Sequence, residues 1–256
     1  MKIIPVIDVM GGVVVRAVGG RRSEYRPIQS RLTSATDLRS VAESLLPFAT
    51  EGMLYIADLG AITGVNNHFQ SILDVAHELD CKLLVDCGVR TVADFDWLPH
   101  HERIYPVLGS ETLETPEVAG MGQVYEGNCV FSVDLMNGDL LGNWEQWHEY
   151  DVTYPHAVAQ MAYAGWCLSG AGAVILLDLA SVGERNGPGA ERYCAEVRDR
   201  LPKHVKLIIG GGVRNWDDVR RLEDAGAAGV LVASALHDGT LVVQEALGVS
   251  GRSTPG

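Results

Sequence analysis

Positive charge is scarce in this 256-residue chain: 20 lysines and arginines stand against 33 aspartates and glutamates, a formal charge of −13 at pH 7. That deficit argues against nucleic acid and anionic membrane surfaces as partners, since both recruit basic faces. Long apolar runs are missing too. No stretch approaches the roughly 18 residues that cross a bilayer, so the 47% of hydrophobic residues is material for a folded core. The first residues, Met1-Lys2-Ile3-Ile4-Pro5, already read as a strand and lack a secretory-leader pattern, which points to the cytoplasm. Cysteine is sparse: Cys81, Cys87, Cys129, Cys167 and Cys194 form an odd set with no Cys-x-x-Cys pair. A disulfide framework is disfavoured on that count, and buried reduced thiols are expected. No linker or shift of composition divides the chain into two folded parts.

What the chain has instead is a repeat. Ile3-Ile4-Pro5-Val6-Ile7-Asp8 is answered by Val130-Phe131-Ser132-Val133-Asp134, and Leu54-Tyr55-Ile56-Ala57-Asp58 by Val174-Ile175-Leu176-Leu177-Asp178. Leu84-Val85-Asp86-Cys87-Gly88-Val89-Arg90 matches Ile208-Ile209-Gly210-Gly211-Gly212-Val213-Arg214, and Val107-Leu108-Gly109-Ser110 matches Leu231-Val232-Ala233-Ser234. Positions 8 and 134, 58 and 178, 90 and 214, and 110 and 234 stand 120 to 126 residues apart, so one half of the chain duplicates the other. Strands are expected near 3–8, 53–58, 82–86, 103–108, 129–134, 173–178, 205–210 and 228–232. Their runs are apolar throughout, as strands covered on both faces require.

Between the runs lie helix-length segments, with Leu38, Val41, Leu45 and Leu46, or Val158, Met161 and Ala162, at helical spacing. Asp217 and Asp218 suit the first turn of a helix through Glu223, and Gly226 suits its C-cap. Gly12-Val13-Val14-Val15-Arg16 reads as a short extra strand, with Asp139-Leu140-Leu141 as its counterpart. The expected fold is α/β: a single (β/α)8 TIM barrel built from two duplicated half-barrels. The barrel is expected over 1–248, and the Ser-, Gly-, Pro- and Arg-rich residues 249–256 as a disordered tail.

Chemistry in such barrels gathers at the C-terminal strand ends. Here those ends read Asp8, Asp58, Asp86, Gly109-Ser110, Asp134, Asp178, Gly210-Gly211-Gly212 and Ala233-Ser234. Gly211 and Gly212 leave a strand to open a helix, so bare N–H groups can approach an anion; Ala233 and Ser234 begin a short segment aimed at the same spot. Two readings stand for them, a phosphate seat and a tight strand–helix turn. Asp8 and Asp134 are symmetry mates facing each other across the mouth, which suits a general acid and a general base. Asp58 and Asp178 fit helix capping better. No histidine directly follows a strand end, His68 being the nearest, so a proton-transfer step would fall to aspartate. A divalent metal among the acids lacks a ligand spacing to support it, and neither metal nor cofactor is expected.

Ile3-Ile4-Pro5-x-x-Asp8, Gly12-x-Val14-Val15-Arg16, Gly88-Val89-Arg90, Gly109-Ser110, Ser132-x-Asp134 and Gly210-Gly211-Gly212-Val213-Arg214 together resemble the histidine-biosynthesis barrel family across nearly the whole chain. Arg16, and Trp144 ten residues after Asp134, resemble its branch of phosphoribosylformimino-aminoimidazole carboxamide ribotide isomerases (ProFAR isomerases) more than its cyclase branch. The resemblance implies an aldose–ketose, Amadori-type rearrangement by Asp8 and Asp134 on a small phosphorylated metabolite. Gly211, Gly212, Ala233 and Ser234 would bind phosphate, with Arg16, Asp86, Gly88, Arg90, Gly109, Ser110 and Trp144 as further substrate contacts.

Departures from the family pattern are specific. Leu177 stands where isomerases carry Thr, Val182-Gly183-Glu184 replaces Asp-Gly-Thr, and Asp86-Cys87-Gly88 replaces three glycines of a second phosphate site. Asp86 would repel a phosphate there, so a ligand with one phosphate is expected; for Arg90, Arg21, Arg22 and Arg26 two readings stand, neutralisation of Asp86 and, the commoner case, solvated loop arginines. The alternatives are a lyase or condensing enzyme of another pathway, such as tetrahydromethanopterin-linked one-carbon metabolism, and a non-catalytic phosphometabolite-binding barrel.

Overall fold

The computed structural model describes residues 1–98 and 101–242. Eight parallel strands close on themselves: β1 (Lys2–Met10), β4 (Met53–Asp58), β5 (Lys82–Asp86), β6 (Ile104–Gly109), β7 (Val130–Met136), β9 (Ala173–Asp178), β10 (Lys206–Gly210) and β11 (Gly229–Val232). They pair in that order, and β11 returns to β1 with Lys2 level with Gly229 and Pro5 with Val232. The duplication extends to the extra strands. β2 (Val13–Arg16) folds back antiparallel on β1, and β8 (Asp139–Leu140) does the same on β7. A two-residue β3 (Arg26–Pro27) pairs with β2. The eight expected strands are all present to within a residue or two.

Alternate residues of each strand serve two different cores, which is why the runs read as continuously apolar. Ile4, Tyr55, Leu84, Val107, Ile175 and Leu231 point inward and fill the barrel. Ile7, Ile56, Val85, Phe131, Leu176 and Ile209 point outward under the helices. Each fully buried chain of that size contributes about 1.5–3 kcal/mol.

The covering helices include α1 (Leu38–Leu45), which buries Leu38, Val41, Ala42 and Leu45 and is capped by Asp37, whose carboxylate accepts from Ser40 N–H. α2 (Leu59–Ile62) and α3 (Phe69–Glu78) follow β4, and α4 (Pro116–Gly120) follows β6. α5 (Ala157–Ser169) is small and apolar where it lies on β7; α6 (Cys194–Arg200) and α7 (Trp216–Asp224) cover β9 and β10. α7 is capped by Asn215, and Gly226 just beyond it adopts φ +94° with Gly226 N–H bonded to Glu223 O at 2.9 Å. The four-residue α8 (Ser234–His237) follows β11.

Among the described residues no helix is long and apolar enough to cross a membrane. All five cysteines are free. Four are buried, but Cys167 is exposed because it falls on the solvent face of α5. The tail expected over 249–256 lies outside the described residues.

Candidate active site

A cavity of about 330 Å³ opens at the C-terminal ends of the strands. Asp8, Asp86 and Asp134 line it from β1, β5 and β7, and Gly211, Gly212, Ala233 and Ser234 from the ends of β10 and β11, with Leu177, Leu179 and Val182 as an apolar stretch of wall. The loop after β2 folds over the mouth and adds Gly20, Arg22 and Tyr25 to the lining. Barrel order puts Asp8 (β1) four strands from Asp134 (β7) in either direction, so the two carboxyls face each other across the opening. Asp86 (β5) lies between them on one side.

The three carboxyls share a low-polarity setting but differ in their bonds. Burial pushes the Asp8 carboxyl up to about 7, against the pull of the Arg22 guanidinium, while part of its surface stays open to the cavity. Asp134 is only 3% exposed. Ser132 Oγ–H donates to its Oδ1 at 2.6 Å, and Glu111 N–H donates to its Oδ2 at 3.1 Å. Burial, and then the neighbouring charge of Asp86, raise Asp134 to about 8 despite these donors. Burial likewise lifts Asp86 to about 6; Gly88 N–H at 3.1 Å and Tyr55 O–H at 3.3 Å favour its ionised form. Burial thus holds all three carboxyls above the usual carboxylate range, in the region where a carboxyl can take or give a proton near neutral pH.

None of the four arginines expected beside Asp86 forms an ion pair with it. Arg22 faces the cavity, but its Nη2 donates to both oxygens of Glu111, at 2.7 and 2.9 Å. Arg21 is held by Glu24 and Glu184, Arg26 by the carbonyls of Ser23 and Tyr25, and Arg90 by the carbonyl of Ile62. The Arg22–Glu111 pair is neutral in sum, and the Glu111 charge acts on Asp86 more strongly than the opposing Arg22 charge.

Gly211 and Gly212 adopt φ +88° and +85°, a conformation that L side chains rarely take. Space is closed there as well: a Cβ on Gly211 would meet Asp178 O at 2.5 Å, and one on Gly212 would meet Gly187 O at 2.2 Å. Among the described residues the N–H groups of Gly212 and Val213 have no protein acceptor, and both residues line the cavity. Ser234, Asn215 and Thr240 bring further polar atoms to this end, with Arg214 and Arg185 beside them. Two successive free N–H groups make a seat for an anion; the two guanidinium groups beside them are already paired, Arg214 with Asp218 and Arg185 with Asp238.

Of the sequence-expected contacts, Asp8, Asp86, Asp134, Gly211, Gly212, Ala233 and Ser234 meet in this cavity; six others stand off its wall. Arg16 spends its guanidinium on Asp238, with both bonds at 3.0 Å, and so ties β2 to the end of α8. Gly88 packs under Ile62, and Arg90 donates to the Ile62 carbonyl at the end of α2. Gly109 sits beneath the carboxylates, where a Cβ would lie 2.9 Å from Asp134 Oδ2. Ser110 Oγ accepts from Asp134 N–H at 2.9 Å, positioning the acid from behind. Trp144 turns away and packs edge-on against Tyr154 at 5.4 Å.

Asp58 and Asp178 are engaged by backbone. Asp58 accepts from Ala61 N–H and His68 N–H, and Asp178 from Ala180 N–H and Asn137 N–H. His68 Nδ1 lies 2.8 Å from Asp58 while its Nε2 accepts from Gly12 N–H at 2.9 Å, which assigns the proton to Nδ1 and pins the β1–β2 turn. Among the described residues no three His, Cys, Asp or Glu side chains are arranged to share a metal ion. Sequence reasoning missed Tyr55, which the alternation on β4 could have given, and Tyr25, Glu111, Arg185 and Thr240, which carry no local signal.

A closed parallel barrel with acids gathered at the C-terminal strand ends is an enzyme scaffold of the (β/α)8 class. The chain belongs to the histidine biosynthesis protein family, whose model matches residues 2–242. An uncharacterized protein of Methanocaldococcus jannaschii is 29% identical over 96% of this chain and 97% of its own. The 1-(5-phosphoribosyl)-5-((5-phosphoribosylamino)methylideneamino) imidazole-4-carboxamide isomerase of Halobacterium salinarum is 30% identical over 95% of each chain. The protein of the same name in Thermoanaerobacter pseudethanolicus is 27% identical over 98% of this chain and 100% of its own.

Proposed function

We propose that this chain is an isomerase that carries out an aldose–ketose rearrangement on a small metabolite bearing one phosphate. The observation that carries the reading is the pairing of Asp8 and Asp134 across one cavity, with carboxyls raised to about 7 and about 8. The rearrangement takes a proton from the hydroxyl-bearing carbon and returns one to the neighbouring carbon, while the hydroxyl proton is exchanged for one on that neighbour's heteroatom, so it needs a base and an acid together. Asp8 serves as the base and Asp134 as the acid. Relatives named as isomerases along the whole chain support the reaction class.

The single phosphate rests on the asymmetry of the cavity. Its β10–β11 side offers free N–H groups, whereas its β5 side offers Asp86. A carboxylate beside a phosphate dianion costs several kcal/mol at low effective dielectric. The far end of the ligand therefore carries hydroxyl or amine donors, and its middle lies along Leu177 and Val182. The test is calorimetry with a sugar monophosphate and the bisphosphate of the same carbon skeleton. The unmutated protein should bind the monophosphate at least tenfold more tightly, and Asp86→Gly should narrow that gap. Tighter binding of the bisphosphate by the unmutated protein would overturn the single-phosphate reading.

A further inference from the structure

Lysine occurs at only four positions, Lys2, Lys82, Lys203 and Lys206, and three of these begin strands of the barrel. Lys2, Lys82 and Lys206 open β1, β5 and β10, which alternate around the barrel with β4 and β11 between them. Side chains from alternate strands share one layer of a barrel interior. These three form its lowest layer, around a cavity of about 260 Å³ at the end opposite Asp8 and Asp134. Ile4, Leu84, Val130 and Ile208 make its apolar ceiling, and they belong to the packed interior that separates it from the mouth.

Glu51 is the single acid in the lining, and it accepts from Lys2 Nζ at 2.5 Å. Its carboxyl is held below the usual range first by that bond and then by the charge of Lys2, with Lys206 and Lys82, which line the same cavity, pulling in the same direction. Among the described residues Lys82 and Lys206 have no acidic partner. Three ammonium groups against one carboxylate leave an excess of two positive charges in a concave site with low-dielectric walls, inside a protein of net charge −13. Such a site concentrates the field that attracts an anion. The repulsion among its lysines goes unrelieved until one binds.

We propose that the N-terminal end of the barrel is a second ligand site, taking a compact polyanion of the diphosphate class. Three separate ammonium donors suit acceptor oxygens spread over two phosphoryl groups, with lysine acting as a point charge toward each. The site is independent of the cavity that holds Asp8 and Asp134.

Pyrophosphate is the probe, titrated calorimetrically into the full chain at low ionic strength, where exposed charges are least screened. The unmutated protein should show two binding events. Lys82→Gln/Lys206→Gln should weaken one of them at least tenfold, whereas Ser234→Glu, at the opposite end, should weaken only the other. Without ligand the double lysine variant should melt no lower than the unmutated protein, because it relieves repulsion. An independent readout on the unmutated chain is reductive methylation followed by mass spectrometry. Pyrophosphate should slow modification of Lys82 and Lys206 several-fold and leave Lys203 unchanged. Loss of all pyrophosphate binding in Ser234→Glu, or equal protection of Lys203, would overturn the proposal.

Discussion

Three aspartates at equivalent strand ends acquire three different characters from their immediate neighbours. Asp8 has a guanidinium nearby and some open surface, Asp134 has a buried hydroxyl partner and a carboxylate neighbour, and Asp86 is bonded by Gly88 N–H and Tyr55 O–H. Burial raises all three, Asp86 to about 6, Asp8 to about 7 and Asp134 to about 8, into the range where a carboxyl can exchange a proton at neutral pH. Asp8→Asn and Asp134→Asn should each lower kcat/KM by about 10²–10⁴, the usual worth of a positioned acid or base. Monophosphate affinity should change by less than about threefold, because the anion seat is built from other groups, the backbone N–H of Gly212 and Val213. The pH profile of kcat/KM should be a narrow bell with limbs near 7 and 8 that belong to the coupled pair. A profile flat from pH 6 to 9 in the unmutated protein would remove both aspartates from the chemistry.

At the scale of elements, the turn from β10 into α7 is the most constrained piece of backbone at the mouth. Gly212→Ala meets both a left-handed φ of +85° and the carbonyl of Gly187 at 2.2 Å, so the turn must move. Gly12, in the β1–β2 turn, has a similar φ of +82° with nothing within 4 Å of its Cβ position. Gly12→Ala should therefore cost about 1 kcal/mol of stability and leave monophosphate affinity unchanged. Gly212→Ala should cost more and weaken that affinity at least tenfold, measured by calorimetry beside urea unfolding; equal behaviour of the two variants would argue against the seat. The strands and this turn were legible in the sequence because each is a contiguous signal: an apolar run, a triple glycine, an Asn cap. Arg16 was not, since the partner that claims it, Asp238, lies 222 residues away and announces nothing locally. Arg22 and Glu111 escaped for the same reason, being joined across 89 residues by a loop whose path over the mouth no periodicity encodes. Trp144 lies off the cavity because the 3-10 segment it opens, Trp144–Tyr150, turns its ring onto Tyr154, a direction that its spacing from Asp134 does not encode.

The whole molecule separates charge along its axis, carboxyls at one end of the barrel and lysines at the other, and the acidic end makes its stability depend on pH. Asp8 and Asp134 keep their protons in the folded state to about 7 and 8, whereas an unfolded chain releases them near 4. The folded state thus binds more protons than the unfolded state over that interval. The stability it gains is complete below about pH 4 and is lost as pH rises through 7 and 8. His237 works in the opposite sense: burial lowers it to about 4, so its contribution is absent in acid and complete above about 6.5. Asp218, held down to about 2 chiefly by Arg214, changes only in stronger acid. Between pH 6.5 and 9 the two raised aspartates are therefore the dominant carboxyl contribution. Urea unfolding across that window should show the free energy falling by about 3 kcal/mol, at up to about 1.4 kcal/mol per pH unit for each proton released. Asp134→Asn replaces the buried acid with a neutral amide, so it should abolish the part of the fall centred on pH 8. Above that pH the variant should be more stable than the unmutated protein, even as it loses turnover. Unfolding free energies that stay level or climb from pH 6.5 to 9 in the unmutated protein would mean that water or a counter-charge solvates these carboxyls in the folded state. The separation of acid from base would then fall with the slope.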